Sequence, residues 1–278
     1  MNKKVKYSGR PGISRSMGPH VRQVIPSVVE HIEPFVFLDH FGPFSKPAGS
    51  DGVPPHPHAG IATLTYLIEG SNRHRDSLGN EALVEQGDLA LMIAGKGIVH
   101  AEGLSTESDV PKDIHGLQFW ISLPAKDKFM DPAFYLYRSS DFPIVLKDGY
   151  EIKVIIGDLN GNHSSVITPS PAFLYEVKVK SGQSLSVPIP AGFTAGIYLI
   201  SGEINIDQKS FKDIQMIDFE AEGDTIEILA QSDAHLMLMG GEPLNEPIVA
   251  YASFVMNSKE QIIQVLHDYE DGKMGHIK

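Results

Sequence analysis

The sequence feature that most limits the fold of this chain is an internal repeat. The segment YLIEG at 66–70 recurs as YLISG at 198–202, and the Gly-Asp pair at 87–88 recurs about the same distance downstream at 223–224. A repeat of this kind is expected when one structural unit occurs twice, so it predicts two tandem domains. The length of 278 residues accommodates two domains of ordinary size.

The predicted join between the two domains lies in a polar stretch with turn-forming residues. The segment SSDFPIVLKDG (139–149) combines Ser, Asp, Pro and Gly, a composition typical of the connection between folded units. We therefore expect an N-terminal domain at 1–138 and a C-terminal domain, which includes the end of the chain, at 139–278.

Short apolar runs separated by turn residues predict an all-β fold. The chain has 26 Gly and 19 Pro, and several of the runs between them alternate between apolar and polar side chains. This pattern is typical of a β-sandwich or barrel. One stretch, Asn257–Tyr269, has helical spacing, with Asn257 or Ser258 as its cap and Gly272 as its stop. Representative strand-like runs are IATLTYLIEG (61–70), DLALMIAG (88–95), GLQFWISL (116–123), LYEVKVK (174–180), AGIYLISG (195–202) and DTIEILA (224–230).

The composition excludes several kinds of chemistry. The chain has no cysteine, which removes disulfides and thiolate ligands and fits a reducing compartment. Any transition metal must then be held by imidazole and carboxylate groups. A net charge of −12 argues against direct binding to a nucleic-acid backbone. The sequence has neither an apolar run of about 18 residues nor an apolar segment after its basic start. We expect a cytoplasmic protein, nuclear as well in a eukaryotic source, without a membrane span.

Two pairs of polar residues with i, i+2 spacing form the candidate metal site. Residues i and i+2 of a strand point to the same side, so His56 and His58 can face one point, as can His100 and Glu102. A Gly-rich turn at 95–97 precedes the second pair and sets where its strand begins. Three imidazoles and one carboxylate suit Fe, Mn, Ni, Cu or Zn, and on an octahedral ion they leave two positions open.

The second copy of the repeat lacks this set of ligands. With the offset of the repeat, the first pair of histidines falls on Pro188 and Pro190, and the second copy retains only His235. One imidazole cannot hold a mononuclear metal, so we expect the C-terminal domain to be a degenerate copy without metal.

The pattern leaves two interpretations open for residues near the two pairs. Gln118 and Trp120 alternate with Leu117 and Phe119, so one of these two sets faces the cavity, either as core packing or as substrate lining. His115 is interpreted as a structural histidine, with a role in orienting a ligand as the alternative.

Three further groups receive a structural interpretation. Asp39 and His40 lie in an aromatic stretch, and we expect them to anchor a strand by hydrogen bonds rather than to bind metal. The segment 73–76, which contains His74, stands beside the 77–80 turn and is interpreted as a solvated hairpin tip. No role is assigned to His20, His31, His163, His267 and His276.

The order of these motifs resembles that of the cupin superfamily and, within it, the pirin family. H-x-H, a Gly-bounded hairpin, G-D and G-x-x-H follow one another as in the two cupin motifs. The usual cupin glutamate after the first pair is missing, and Glu102 stands two residues after the last histidine instead, as it does in pirins. The similarity runs from about residue 10 to 275. It includes FVFLDHFGP (35–43), PHPHAGIATLTYLIEG (55–70), GDLALMIAGKGIVHAE (87–102), HGLQFWISLP (115–124) and EPLNEPIV (242–249).

The resemblance implies two tandem cupin barrels, of the double-stranded β-helix or jelly-roll type, with a short C-terminal helix. It implies one mononuclear divalent metal, Fe(II) in the first instance, held by His56, His58, His100 and Glu102, with Glu102 also accepting a proton in catalysis. Several pirins cleave the flavonol quercetin with O₂. The implied function is therefore a quercetin 2,3-dioxygenase acting on a small, flavonol-like aromatic substrate.

The resemblance also implies alternatives to an enzyme. Other pirins are non-enzymatic, metal- and redox-dependent regulators that bind transcription factors or metabolic enzymes, and the same four ligands would serve such a protein. A storage or structural metal site is a third interpretation. An enzyme requires an opening to the metal of roughly the size of a flavonol, whereas a regulator does not.

Overall fold

A computed structural model describes residues 1–13, 21–46, 52–104 and 112–277. It confirms the all-β prediction and the single short helix near the C-terminus. No helix in these ranges is long and apolar enough to cross a membrane. The strands are β1 (Val5–Gly9), β2 (Val21–Ile25), β3 (Phe35–Lys46), β4 (Val53–His58), β5 (Ile61–Glu69), β6 (Ser71–Asp76), β7 (Glu81–Glu85), β8 (Leu89–Ile93), β9 (Ile98–Leu104), β10 (Lys112–Ser122), β11 (Ala133–Tyr137), β12 (Ile144–Lys147), β13 (Tyr150–Ile156), β14 (Asp158–Leu159), β15 (Asn162–His163), β16 (Ala172–Val179), β17 (Ser184–Pro188), β18 (Gly196–Ser201), β19 (Glu203–Ile206), β20 (Lys209–Lys212), β21 (Gln215–Phe219), β22 (Thr225–Ala230), β23 (Ala234–Gly241), β24 (Val249–Tyr251) and β25 (Phe254–Met256). The helix α1 is Lys259–Glu270, and Ala125–Asp127 and Ser139–Asp141 are short 3₁₀ turns.

The chain forms two compact units whose boundaries differ from a simple cut at residue 138. The unit that we call the C-unit contains Met1–Ile13, Arg22–Phe37 and Ser140–Leu244. The unit that we call the N-unit contains Leu38–Ser139 and the residues from Asn245 onward. Each end of the chain is thus part of the unit formed by the other half of the sequence.

Strand pairing and apolar packing explain why the ends are exchanged. In the C-unit, β1 pairs antiparallel with β21 and so adds an edge strand from the start of the chain. In the N-unit, Ile262 and Val265 of α1 pack in one buried cluster with Ala59 and Val99. The apolar face of a short helix must be covered to be stable, and here the N-unit covers it. The sequence predicts that the helix belongs to a domain at 139–278, whereas in the structure it packs on the N-unit.

The C-unit is a two-layer β structure with an apolar core. One sheet has the strand order β1-β21-β18-β23-β16-β13-β12 and the other β17-β22-β19-β20. Side chains from both sheets belong to one buried cluster, among them Val154 and Tyr175 from the first sheet and Val187 and Ile226 from the second. The alternation of each strand buries one of its faces in this cluster.

The N-unit repeats this two-layer plan, but polar groups lie between its sheets. The strands β11-β8-β5-β10-β3 are neighbours in one sheet, and β4-β9-β6-β7 form the other. In β5, Leu64 and Tyr66 are buried on one face, and Thr63 and Thr65 on the opposite face, each with at most 2% exposure. Thr65 donates a hydrogen bond to Glu102 of β9, which shows that the polar face of β5 is turned toward the four-stranded sheet.

The helix begins and ends close to where its sequence signals predict. The Ser258 hydroxyl accepts a hydrogen bond from the Gln261 backbone N–H, which makes Ser258 the N-cap. Gly272 follows the helix with φ +73°, a left-handed conformation that glycine adopts without a steric penalty. The predicted helix at Asn257–Tyr269 therefore has the right cap and stop, and its bounds are shifted by one or two residues.

A buried lysine ties the C-terminal strand β25 to the rest of the N-unit. Lys128 Nζ donates to the Gly60 carbonyl (2.9 Å), the Ser122 hydroxyl (2.9 Å) and the Val255 carbonyl (2.8 Å). Its side chain is fully buried, and this burial lowers the pKa of Lys128 to about 7. Gly60 lies two residues after His58, so these bonds hold the backbone at the end of β4.

Candidate metal centre

Three neighbouring strands of the N-unit carry the candidate site. In the sheet β4-β9-β6-β7, His56 lies opposite His100, and on the other side of β9 His74 lies opposite Glu102 and Asp76 opposite His100. Directly opposed residues of antiparallel strands project from the same face. The sheet therefore presents three pairs with i, i+2 spacing, His-x-His, His-x-Glu and His-x-Asp, on one surface.

His56, His58 and His100 form a compact cluster of imidazoles. Their ring centroids are 4.4 to 4.9 Å apart, and one ligand atom of each lies within 4.8 Å of the others. Nε2 of His56 and Nε2 of His100 are 3.0 Å apart. Adjacent ligands of an octahedral ion with metal–nitrogen bonds of about 2.1 Å are separated by about 3 Å. The spacing thus fits two neighbouring positions around one metal ion.

Backbone carbonyls orient two of the three rings. Nδ1 of His56 lies 2.8 Å from the Pro54 carbonyl, and Nδ1 of His58 lies 3.2 Å from the Ser253 carbonyl. A carbonyl can only accept, so both Nδ1 atoms carry the proton and both Nε2 atoms keep a free lone pair. This arrangement is the usual one for metal-ligating histidines. Nδ1 of His100 is buried and has no hydrogen-bond partner among the described residues.

Burial keeps two of these imidazoles neutral. Burial lowers the pKa of His58 to about 3, with the neighbouring His56 acting in the same direction. Burial likewise holds the pKa of His100 well below its usual value, together with His58, His56 and His74. Neutral imidazole is the form that binds a metal, so the donor set requires little deprotonation at neutral pH.

Glu102 and its neighbours complete the polar interior. The Thr65 hydroxyl donates to Glu102 Oε1 (2.6 Å) and lies 2.8 Å from Oε1 of Gln118. Trp120 makes an edge contact with His58, with ring centroids 5.1 Å apart. Gln118 and Trp120 therefore face the site, and the alternating residues Leu117 and Phe119 are fully buried in the core. The structure thus shows which of the two alternating sets faces the site; a role in lining the substrate stays a prediction.

His74 is the residue that sequence reasoning missed. The segment 73–76 was expected to be a solvated hairpin tip, but His74 is 1% exposed and Asp76 4% exposed. A ring atom of His74 lies within 4.8 Å of ligand atoms of His100 and Glu102, which makes these three residues a second candidate group. The prediction was wrong because the whole segment was taken as solvated, whereas β6 extends through Asp76 and its alternation buries His74 and Asp76 and leaves Arg73 and Arg75 only half-buried. The same i, i+2 spacing that identified the other pairs was the available signal.

The other predicted polar residues lie outside both candidate groups. Nε2 of His40 and Nε2 of His115 are 2.6 Å apart and their rings stack, so these two histidines pair with each other. Asp39 is buried, and this burial raises its pKa to about 7. Its Oδ1 atom has no hydrogen-bond partner within the described ranges. His20 falls outside the residues that the structure describes.

The four-stranded sheet of the C-unit, β17-β22-β19-β20, contributes apolar side chains to a buried core. Leu185 and Val187 of β17, Ile204 of β19, and Ile226 and Ile228 of β22 all belong to the buried core. Neither group of metal-ligating side chains found among the described residues lies in this unit.

His235 does not occupy a position equivalent to a ligand. It lies on β23, next to Leu236, which is part of the buried core. The side chain of His235 therefore points to the opposite face of the sheet. Its Nε2 lies 2.8 Å from Glu176 Oε1. His235, the histidine that the second copy of the repeat retains, thus belongs to a cluster of charged side chains around Glu176.

Two jelly-roll units in one chain, one of them with imidazoles and a carboxylate gathered between its sheets, define a bicupin protein with a candidate mononuclear metal centre. Residues 18–121 match the family model described as Pirin, and residues 174–275 match the Pirin C-terminal cupin domain. The chain belongs to the pirin family.

The relatives agree with this assignment over nearly the whole chain. Human pirin is 35% identical over 269 residues, which cover 94% of this chain and 90% of the human protein. A pirin-like protein of tomato, Solanum lycopersicum, is 34% identical over 254 residues, covering 89% and 84% of the two chains. A crystal structure of quercetin 2,3-dioxygenase from Acinetobacter baumannii superimposes with a TM-score of 0.94 at 27% identity and covers 100% of both chains.

Proposed function

We propose that this protein is a metal-dependent dioxygenase of the quercetin 2,3-dioxygenase type, with one divalent metal held by His56, His58, His100 and Glu102. The observation that carries the proposal is the cluster of inward-facing imidazoles beside Glu102, whose nitrogen spacing fits one ion. The likeness to the Acinetobacter baumannii quercetin 2,3-dioxygenase along the full chain supports the choice of substrate class. The resemblance to pirins makes Fe(II) the first candidate, and Mn, Ni, Cu and Zn suit the same donors.

In this proposal some side chains of the site bind the metal and others contact the flavonol. A divalent metal held by these residues would supply a Lewis acid and coordination positions for the substrate hydroxyl and O₂. Glu102 takes the proton from the 3-hydroxyl of the flavonol, and the Thr65 hydrogen bond fixes the direction of its carboxylate. The indole of Trp120 and the amide of Gln118 lie on the same side of β10 and present an aromatic surface and a polar group to a flat substrate.

The accessibility of the ligands gives the site a direction of entry. His58 and His100 are buried, whereas His56 and Glu102 are half-buried. The cluster contacts solvent through these two residues, and we place the substrate on their side. The absence of cysteine fits a reducing compartment, and we place the protein in the cytoplasm.

The test is reconstitution of metal-free protein with Fe(II) under anaerobic conditions, followed by quercetin and then O₂. We expect consumption of one O₂ per quercetin, measured with an oxygen electrode and by the loss of flavonol absorbance. Glu102→Gln keeps the size of the side chain but cannot take a proton, so turnover should fall by about 100-fold or more. His235→Ala, which removes a histidine of the C-unit, is the control and should retain full turnover.

Two results would contradict the proposal. Metal-loaded protein that consumes no O₂ with any flavonol is not a dioxygenase of this class, and the interpretation as a regulator that binds protein partners would then be preferred. Glu102→Gln protein with undiminished turnover would remove the proton-accepting role from Glu102 even if the metal and the activity are real.

A further inference from the structure

The third pair of residues on the polar surface, His74 and Asp76, has no part in the proposed set of four ligands. Both side chains are buried and project from the same face of the sheet as Glu102 and His100, their partners on β9. The rings of His74 and His100 are 5.5 Å apart, centroid to centroid. His74 thus contributes an imidazole to the same interior as the candidate ligands.

Hydrogen bonds around Asp76 determine which nitrogen of His74 carries the proton. Nε2 of His74 lies 3.2 Å from Asp76 Oδ2. Asp76 Oδ1 accepts from the backbone N–H groups of Leu78 (2.9 Å) and Asn80 (3.0 Å). Asp76 Oδ2 accepts from the side-chain amide Nδ2 of Asn80 (2.8 Å). A carboxylate surrounded by donors is ionised and can only accept, so His74 donates through Nε2. Nδ1 of His74 then keeps its lone pair.

Stacking fixes the plane of the His74 ring. Its centroid is 4.1 Å from that of Phe134, with an interplanar angle of 9°. A ring that is stacked on one side, bonded to a carboxylate at Nε2 and 1% exposed has little freedom to rotate. A carboxylate that orients an imidazole in this way is a recurrent feature of metal-ligating histidines.

We propose that His74 is a fifth metal-ligating side chain, which with His100 and Glu102 forms a second three-ligand position that overlaps the first. His56, His58 and His100 define the first position, and both positions use His100. We place one ion at a time on the His100 ring, so the two positions are alternatives for a single metal. This inference rests on the proposed metal centre and adds to it a second metal-binding position beside β6.

The experiment is a titration of metal-free protein with Co²⁺, whose visible absorption reports the number and kind of its ligands. His74→Phe removes the nitrogen but keeps an aromatic ring against Phe134, and Asp76 retains its donors from Leu78 and Asn80. We expect His74→Phe to weaken Co²⁺ binding by about 10-fold or more and to change the absorption bands. His115→Phe is the control, because His115 lies in the same unit but pairs with His40. It should change neither the affinity for Co²⁺ nor the absorption bands.

A double variant makes the overlap of the two positions visible. Because His74, His100 and Glu102 remain in His56→Ala/His58→Ala, this double variant should still bind Co²⁺, with an altered spectrum. Adding His74→Phe to it should abolish binding. The thermal midpoint of each metal-free variant, compared with that of the wild-type protein, separates a loss of ligand from a loss of folding.

The outcomes distinguish this inference from the proposed function. If the wild-type protein takes up no Co²⁺, the proposed metal centre itself is overturned. If the wild-type protein binds Co²⁺ and His74→Phe binds it with the same affinity and spectrum, alone and combined with His56→Ala/His58→Ala, then His74 is only a structural residue and this inference is overturned. Co²⁺ binding that depends on His74 supports the inference whether or not flavonols are turned over.

Discussion

Lys128 allows the packing of the N-unit to be tested through the dependence of stability on pH. Burial lowers the pKa of its ammonium group from 10.5 to about 7, and the charge of Glu246 opposes this only in part. In the unfolded chain the group keeps its usual pKa and binds a proton up to about pH 10. Between these values the unfolded state binds more protons, so the free energy of unfolding rises with pH.

The size of the effect follows from the shift. One pKa unit corresponds to about 1.4 kcal/mol, so the full shift amounts to about 5 kcal/mol between neutral pH and pH 10. About 2 kcal/mol of this should be gained between pH 7 and pH 9. Lys128→Met removes the titrating group, and the rise attributable to it should disappear. The variant also leaves the carbonyls of Gly60 and Val255 without a donor, which lowers stability at every pH by roughly 1–3 kcal/mol for each group.

The assay compares how steeply the free energy of unfolding changes with pH, rather than its absolute value at one pH. Urea unfolding is measured at pH 7, 8 and 9 for the wild-type protein, for Lys128→Met and for Lys126→Met. Lys126 lies two residues away, and its side chain is 81% exposed, so its removal should leave the slope unchanged. If Lys128→Met shows the same increase of unfolding free energy with pH as the wild-type protein, the ammonium group is not held in a costly buried state and the reasoning is refuted.

Three other perturbations test the site and its frame. Gly60→Ala places a Cβ 2.1 Å from the Val255 carbonyl oxygen at φ +74°, so the free energy of unfolding in urea should fall by about 2 kcal/mol or more; an unchanged midpoint would contradict this. In metal-free protein, His58 with its pKa of about 3 binds a proton only after unfolding, so stability should fall by up to about 1.4 kcal/mol per pH unit below pH 6. His58→Gln should make this acid dependence weaker, and an equal slope would refute it. His235→Ala removes one partner of Glu176, which also pairs with Lys153 and Lys178, and should lower the thermal midpoint while leaving the metal content unchanged, as measured by elemental analysis; a loss of metal would place a ligand in the C-unit.

The parts of the fold that the sequence predicts are those that depend on local spacing. Alternation with a period of two marks a strand wherever it occurs, and the pairs His56–His58 and His100–Glu102 were recognised by that period alone. The Ser258 cap and the Gly272 stop of α1 are likewise local, because they depend on backbone conformations within one turn. These features could be predicted without knowing what lies beside them.

The parts that the sequence did not predict depend on which strands become neighbours. His74 and Asp76 have the same spacing as the two recognised pairs, but only the placement of β6 beside β9 turns them into the interior. The orientation of His235 was decided in the same way, by which face of β23 the C-unit core covers.

The sequence by itself determined two related β-units and a candidate metal-binding surface made of paired residues, because those properties depend on spacing along the chain. The tertiary structure alone decided that the first strand completes the C-unit and that α1 covers the N-unit. It also brought a fourth imidazole, that of His74, to within 4.8 Å of ligand atoms of His100 and Glu102. The physical reason is that hydrogen-bonded neighbours and the covering of apolar faces are chosen between segments far apart in sequence.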